Sequence, residues 1–268
     1  MAFIHAANVS IHEPSDYNPF RRQLTASQRQ KLYLAFKHTL PYLSCAEYKS
    51  CAAVDTSFHQ MIMQQLLEKP SFHDGHVHDA LHLLVKWVDL LPHFRPETAA
   101  LIKHLDVSHI EDSLYERVPS YFFEYLLRYT PNLQVLQLSR TSFLQCRNSL
   151  PPRYELRHLH TLDLSYCDNI SSATLCALSA RLPCLQHVKL DGIASNIDEG
   201  VAALAHRGEL QSISMRNCSS ISDVAMYSLA KFRTIKLKEI DVSGCRKITE
   251  NGFLILAKYN IHLQLLGL

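Results

Sequence analysis

Along the second half of the chain the apolar residues fall at a fixed spacing: apolar, two residues, apolar, one residue, apolar. Leu159, Leu162 and Leu164 form one set, Leu210, Ile213 and Met215 another, and Leu237, Ile240 and Val242 a third. Each is followed by a cysteine (Cys167, Cys218, Cys245) and then an isoleucine (Ile170, Ile221, Ile248). Leu185, Val188 and Leu190 keep the spacing but have Ile193 at the cysteine place. Leu133, Leu136 and Leu138 open an earlier copy, and Ile102, Leu105 and Val107 one before that. Leu263, Leu266 and Leu268 begin a last one. From Leu133 onward the starts lie 26, 26, 25, 27 and 26 residues apart. The last two apolar residues of a set are two apart, so both point to the same inner side of a strand. Ser171, Asp198, Ser222 and Thr249 then stand where a side-chain oxygen caps a helix. Glu199, Asp223 and Glu250 put negative charge in its first turn. Leu178, Leu204, Leu229 and Leu256 each follow the cysteine place by eleven residues, on the inner helix face. The pattern predicts one short strand and one helix per copy.

A period near 26 with this consensus is the signature of leucine-rich repeats, an α/β solenoid with a curved parallel sheet. The cysteine turns the chain through a tight buried corner, which suits a small hydrophobe with a weakly hydrogen-bonding thiol. On this reading residues 99–268 are repeats, with 119–129 supplying the first helix.

The chain before them has a different texture. Residues 1–23, with Pro14, Pro19 and the pair Arg21-Arg22, are expected to form a loose tail. Residues 24–70 read as three short helices. The first is capped by Thr25 or Ser27 and ends at Leu40-Pro41; the second begins at Ser44; the third runs from Thr56 or Ser57 through Phe58, Ile62, Leu66 and Leu67. So small a module buries little by itself and leans on a neighbour or a partner. Residues 71–98 link the two parts. Their helix, with Leu83, Leu84, Trp87, Val88 and Leu91, is placed to cover the open end of the first coil.

Leu40 to His59 resembles the second half of an F-box. Leu40, Glu47, Tyr48, Ala53, Val54 and Phe58 match its helix-ending leucine, acidic-hydrophobic pair, small residue, valine and aromatic. Two places depart from it: the usual Leu-Pro at the start of the first helix is Leu24-Thr25, and Thr56-Ser57 stand where a basic residue precedes the aromatic. The repeats over 99–268 resemble the cysteine-containing subfamily that often follows an F-box, and are also similar to the antagonist-of-mitotic-exit-network family. The resemblance implies a substrate-recognition subunit of a Skp-cullin-F-box type ubiquitin ligase. Leu40, Pro41, Tyr48, Val54 and Phe58 would then belong to the module that meets the F-box-binding adaptor, and the repeats would hold a target. The second family implies instead an adaptor-independent regulator that blocks a partner with its repeats.

Composition narrows this modestly. With 47% hydrophobic residues the 268-residue chain is not disordered by default, and its net charge of +2 gives no basic excess of the kind nucleic-acid binders carry. Three of the eight cysteines occupy equivalent repeat corners, no C-x-x-C occurs, and Met1 to Asn8 lacks a secretory pattern. The most apolar stretch, Leu81 to Leu91, is interrupted by His82, Lys86 and Asp89, too short and too charged to span a bilayer. A reduced protein of the cytoplasm or nucleus is expected, with no membrane and no nucleic-acid partner.

Candidate chemistry is sparse. His73, Asp74, His76, His78, Asp79 and His82 cluster in sequence, and His78 and His82 share a helix face. No cysteine or H-E-x-x-H accompanies them, so surface histidines are expected rather than a metal site. No nucleophile-elbow, Walker or dinucleotide fingerprint is present, and no enzyme activity or cofactor is expected. Lys231, Arg233, Lys236 and Lys238 read as a solvated loop. The strand residues facing away from the core are more informative, because solenoids hold partners on that extended concave surface. Asp163, His187, Lys189, Glu239 and Asp241, with Asp191 and Arg216 just beyond their strands, are the expected target-binding residues. The last strand, Leu263 to Leu268, has an outer edge of the kind that invites pairing with another chain.

Overall fold

The structure is a computed structural model describing residues 25–40, 45–52, 56–72, 77–108, 110, 122–141, 155–167, 170–207, 209–231, 237–259 and 263–267. The chain divides into two units, Met1–Ser71 and Phe72–Leu268.

In the first unit lie α1 (Ala26–Thr39), α2 (Cys45–Ala52) and α3 (Thr56–Glu68). Helix α1 starts with a capping box: the Thr25 hydroxyl accepts from the Gln28 amide at 3.3 Å, and the Gln28 side chain accepts from the Thr25 amide at 2.9 Å. Two orphan donors of the first turn are thereby satisfied. Leu40 and Ile62 form a small core, packed round by Phe36, Tyr48, Cys51, Met61 and Leu66. Phe58 meets Phe36 edge-on at 4.3 Å between ring centroids, and the Tyr48 hydroxyl donates to the Leu40 carbonyl at 2.8 Å. Leu32 and Leu34 on α1 are exposed.

The second unit opens with α4 (Val77–Leu90), a 3-10 turn at Leu91–His93 and α5 (Pro96–Ala99). Seven three-residue strands then make one parallel sheet whose order is the order of the sequence: β1 (His104–Asp106), β2 (Val135–Gln137), β3 (Thr161–Asp163), β4 (His187–Lys189), β5 (Ser212–Ser214), β6 (Glu239–Asp241) and β7 (Leu265–Gly267). Between them come α6 (Phe122–Tyr129), α7 (Ser172–Ser179), α8 (Asp198–His206), α9 (Asp223–Lys231) and α10 (Glu250–Tyr259). A strand followed by a helix in every connection except that from β2 to β3, of which residues 142–154 lie outside the described set, with the strands stacked in register, is a leucine-rich-repeat solenoid. Leu105, Leu136, Leu162, Val188, Ile213 and Ile240, the middle residues of β1 to β6, are in register and buried, each at 1% exposure or less. Leu266, the same position of β7, is 42% exposed. On the other side of the first coil, α4 packs against α6 with Leu84, Trp87 and Val88 buried. Among the described residues no helix is long and apolar enough to cross a membrane.

The corner cysteines are buried as the repeat spacing requires, and each thiol reaches back one coil. Cys167 donates to the Leu138 carbonyl at 3.1 Å, Cys218 to Leu190 at 3.0 Å and Cys245 to Met215 at 2.8 Å. Burial pushes the Cys167 thiol up, and the neighbouring Cys245 thiol together with burial does the same for Cys218. Both are therefore packing groups that hold their protons. Thr141 fills the corner of the preceding coil, donating to the Leu138 carbonyl at 2.6 Å.

The helix starts differ from the sequence expectation at one coil. Ser171 caps α7 by accepting from the Thr174 amide at 3.2 Å, but Asp198 is the first residue of α8, not its cap. Its carboxylate is turned to the next coil, where it accepts from the Ser222 amide at 3.0 Å and hydroxyl at 2.6 Å. Asp223 repeats the arrangement one coil on, accepting from the Thr249 amide at 2.7 Å and hydroxyl at 2.6 Å. The Asp198 amide is served by Asn196 at 3.0 Å. These acids bind coil to coil as well as favouring the helix dipole.

Candidate functional site

Strand register sorts the expected binding residues into three rows across the sheet. His187 pairs with Ser212 and Ser212 with Glu239 in one row. Asp163, Lys189, Ser214 and Asp241 form the second. Asp191 and Arg216, two residues beyond their strands, lie in a third that continues the ladder: the Tyr166 amide donates to the Asp191 carbonyl at 2.6 Å and the Gly192 amide to Arg216 at 2.7 Å. Neighbouring members of a row are thus about 4.8 Å apart, the spacing of paired strands.

Within this frame the acids and bases behave differently. Asp163 is only 8% exposed and accepts from the Ser165 amide at 2.9 Å. It holds the turn after its strand and is withdrawn from solvent. Asp191 accepts from the Ser214 hydroxyl at 2.5 Å and the Arg216 amide at 2.9 Å, tying one coil to the next. Asp241 accepts from the Ser243 amide at 3.0 Å and hydroxyl at 2.6 Å, and Arg216 Nε lies 3.6 Å from it. Burial opposes its ionisation, but the Ser243 bonds and the Arg216 charge outweigh it and hold the Asp241 carboxyl below the usual carboxylate range. Lys189, Arg216 and Glu239 are the exposed members of the set. His187 stands half-buried between Thr161 and Ser212 in its row.

A neighbouring ridge was not anticipated. Two residues past the last inward strand residue, coil after coil, the backbone turns left-handed: Arg140 (φ 61°), Tyr166 (φ 59°), Gly192 (φ 69°), Asn217 (φ 55°) and Gly244 (φ 78°). Side chains stand at Arg140, Tyr166 and Asn217, and gaps at the two glycines. A Cβ on Gly192 would stand 2.3 Å from the Tyr166 ring, and one on Gly244 2.3 Å from Asn217 Oδ1. Arg140 lies over the Tyr166 ring, 5.6 Å from its centroid, and the ring itself is 48% exposed. The signal was present in the sequence: glycine or asparagine at the same offset in three coils, residue types that tolerate this backbone.

The F-box-like positions fall elsewhere. Leu40 and Phe58, at 2% and 8% exposure, are buried inside the first unit, and the Tyr48 hydroxyl is bonded within it. Their part in the first unit is packing, as members of the core of that module. Pro41 and Val54 lie outside the described residues, as do Arg233, Lys236, Cys146 and three of the clustered histidine-region residues, His73, Asp74 and His76. Among the described residues no group of three His, Cys, Asp or Glu side chains is placed to hold a metal ion. The described groups of this surface can offer hydrogen bonds and charge to a bound molecule.

No family model matches the chain. Among solved structures it is similar to a TLR13–ssRNA13 complex, at 19% identity and a TM-score of 0.37, over 62% of this chain and 25% of that one.

Proposed function

We propose that the chain is a protein-binding repeat module whose strand face is the recognition surface. The observation that carries this reading is the set of exposed side chains on that face, Lys189, Arg216 and Glu239, which the core does not require and which a rigid in-register sheet holds at fixed spacing. Extended faces of this kind are what solenoids use to hold partners. In its finer form the proposal is a substrate receptor of a Skp-cullin-F-box type ligase. The resemblance of Leu40 to His59 to the F-box, in company with cysteine-containing repeats, supports it. A receptor of this kind does no bond chemistry and works by raising the target's effective concentration near the ligase. Because Leu40 and Phe58 are inside the unit, adaptor contact would fall to exposed residues such as Leu32 and Leu34.

The burial of Leu40 and Phe58 also favours a second reading. In it the first unit is a structural module, and the repeats block a regulatory partner directly.

Co-purification of the full chain with the F-box adaptor separates the two. Under the receptor reading wild type retains the adaptor in equal amount and Leu34→Glu, a change at an exposed site, loses it while remaining folded. A folded wild type that retains none leaves the direct binder.

A further inference from the structure

Four of the nine exposed large hydrophobic side chains among the described residues, Val224, Tyr227, Leu254 and Tyr259, lie on two adjacent helices, α9 and α10. Three helices of the layer opposite the sheet carry one stripe in common. Residues i, i+4 and i+8 are Asp198, Ala202 and His206 on α8; Asp223, Tyr227 and Lys231 on α9; and Glu250, Leu254 and Lys258 on α10. That spacing puts an acid, an apolar residue and a base one above another on the same helix face. The three helices begin at the same place in their coils, five residues past Ile193, Cys218 and Cys245, and they pack side by side. The stripes therefore align into an acidic row at the helix starts, an apolar row in the middle and a basic row at the helix ends; in the acidic row Glu250 is the exposed member, Asp198 and Asp223 being bonded to the next coil. At 1.5 Å per residue the outer rows lie about 12 Å apart, with the apolar row midway.

Exposure along the stripe rises towards the last two coils. Ala202 is half-buried, whereas Tyr227 is 56% and Leu254 60% exposed, with Val224 at 57% beside them. Glu250, Lys231 and Lys258 are exposed as well. A contiguous apolar patch rimmed by charge on a water-facing helix layer marks an interaction surface.

We propose that this helix face is a self-association surface, on which a second copy of the chain docks through a two-fold axis passing between Tyr227 and Leu254. The order acid, apolar, base is its own complement when reversed. Rotation by half a turn lays α9 of one copy antiparallel on α10 of the other. Tyr227 then meets Leu254 at the centre, and Glu250 of each copy faces Lys231 of the other. Such an interface is isologous, with each contact made twice. The burial of Val224, Tyr227 and Leu254 drives it, and the charged rim sets its register. Because the helices and the strand face are on opposite sides of the sheet, the dimer leaves both strand faces outward and presents two recognition surfaces to a partner.

Sedimentation equilibrium of the full chain over a concentration series tests this. Wild type is expected to pass from one chain to two, and Leu254→Glu to remain a monomer with an unchanged circular dichroism spectrum, since the site is exposed. Lys231→Glu is expected to weaken association by about tenfold, and adding Glu250→Lys to restore it. Should Leu254→Glu fail to fold, Tyr227→Ser serves in its place. A wild type that stays monomeric throughout, or a Leu254→Glu or Tyr227→Ser variant that dimerises like wild type, overturns the proposal. Lys189→Glu on the strand face leaves the association constant unchanged, so failure of this dimer is distinguishable from failure of the partner-binding reading.

Discussion

Asp241 shows how a single residue can lie on the proposed recognition surface and also serve the scaffold. Its carboxylate accepts from the Ser243 amide and hydroxyl and faces Arg216, so its folded pKa lies below the ordinary carboxylate value. A depressed folded pKa means stability that is present above the unfolded carboxylate range and lost as pH falls through the folded value. Arg216→Ala removes the cation and is expected to raise the Asp241 pKa towards its ordinary value, so that this loss begins at higher pH. An NMR titration of the Asp241 side chain in both proteins checks it, and an unchanged midpoint would show that the Ser243 bonds alone hold the charge. At this scale the sequence was informative about which residues face outward, because alternation along a strand is local. It was silent on how they are spent. Asp163 and Glu239 read alike as acids on a strand, yet Asp163 is buried with its carboxylate on the Ser165 amide whereas Glu239 is exposed. Asp163 ends its strand and reaches the turn amide, whereas Glu239 begins its own.

Coil-to-coil attachment is the property of the elements. Corner thiols reach back to the strand of the preceding coil, while Asp198 and Asp223 at the starts of α8 and α9 reach forward to Ser222 and Thr249. Close helix stacking goes with these bonds: a Cβ on Gly252 would lie 2.4 Å from Asp223 Oδ1, so glycine at that place lets the acid pass to Thr249. Asp223→Ala deletes both bonds to Thr249 and is expected to cost about 1–3 kcal/mol. Urea unfolding measures that cost. Native-state hydrogen exchange should at the same time show α10 losing protection more than α8, because the lost bonds hold the start of α10. Equal loss across the helices would mean that these carboxylates do not set local coupling. The helices themselves and their spacing were legible from Leu178, Leu204, Leu229 and Leu256. The role of Asp198 was not, because its hydrogen-bond partner is a residue of the next coil.

In the second unit, burial at a given repeat position depends on what packs on each side of the strand: Leu105 on the edge strand β1 is buried at the end where α4 packs. Ile213, flanked by β4 and β6, is 1% exposed, while Leu266 on β7 is 42% exposed although the two occupy equivalent positions. Ile213→Ala leaves a cavity between coils and is expected to cost about 2–5 kcal/mol. Leu266→Ala removes a side chain that is already largely wet and should cost about 1 kcal/mol or less. Thermal and urea unfolding of the two variants gives the comparison. Equal costs would mean that the last strand is as fully packed as the middle of the solenoid. In a solenoid the interfaces between neighbouring coils carry much of the stability, so a central cavity weakens contacts on both sides.

The sequence by itself determined the repeat, its period, the inward residues of each strand and the buried corners. These follow from the geometry of one strand and one helix, and each coil states them again. It also marked the left-handed turn with Gly192, Asn217 and Gly244, although only the backbone angles reveal that Arg140 and Tyr166 take the same conformation. Tertiary structure alone decided the rest: which of the F-box-like residues are core, Leu40 and Phe58 among them, that Asp163 is consumed by its own turn, that Asp191 and Asp223 bind the following coil, and that the acid, apolar and basic positions of three helices align into rows. Each of these depends on groups some 23 to 28 residues or more away, or on packing between elements, or on a turn the alternation pattern does not encode. Local periodicity fixes where a side chain points, whereas its neighbours in the assembled fold decide what it is free to bind.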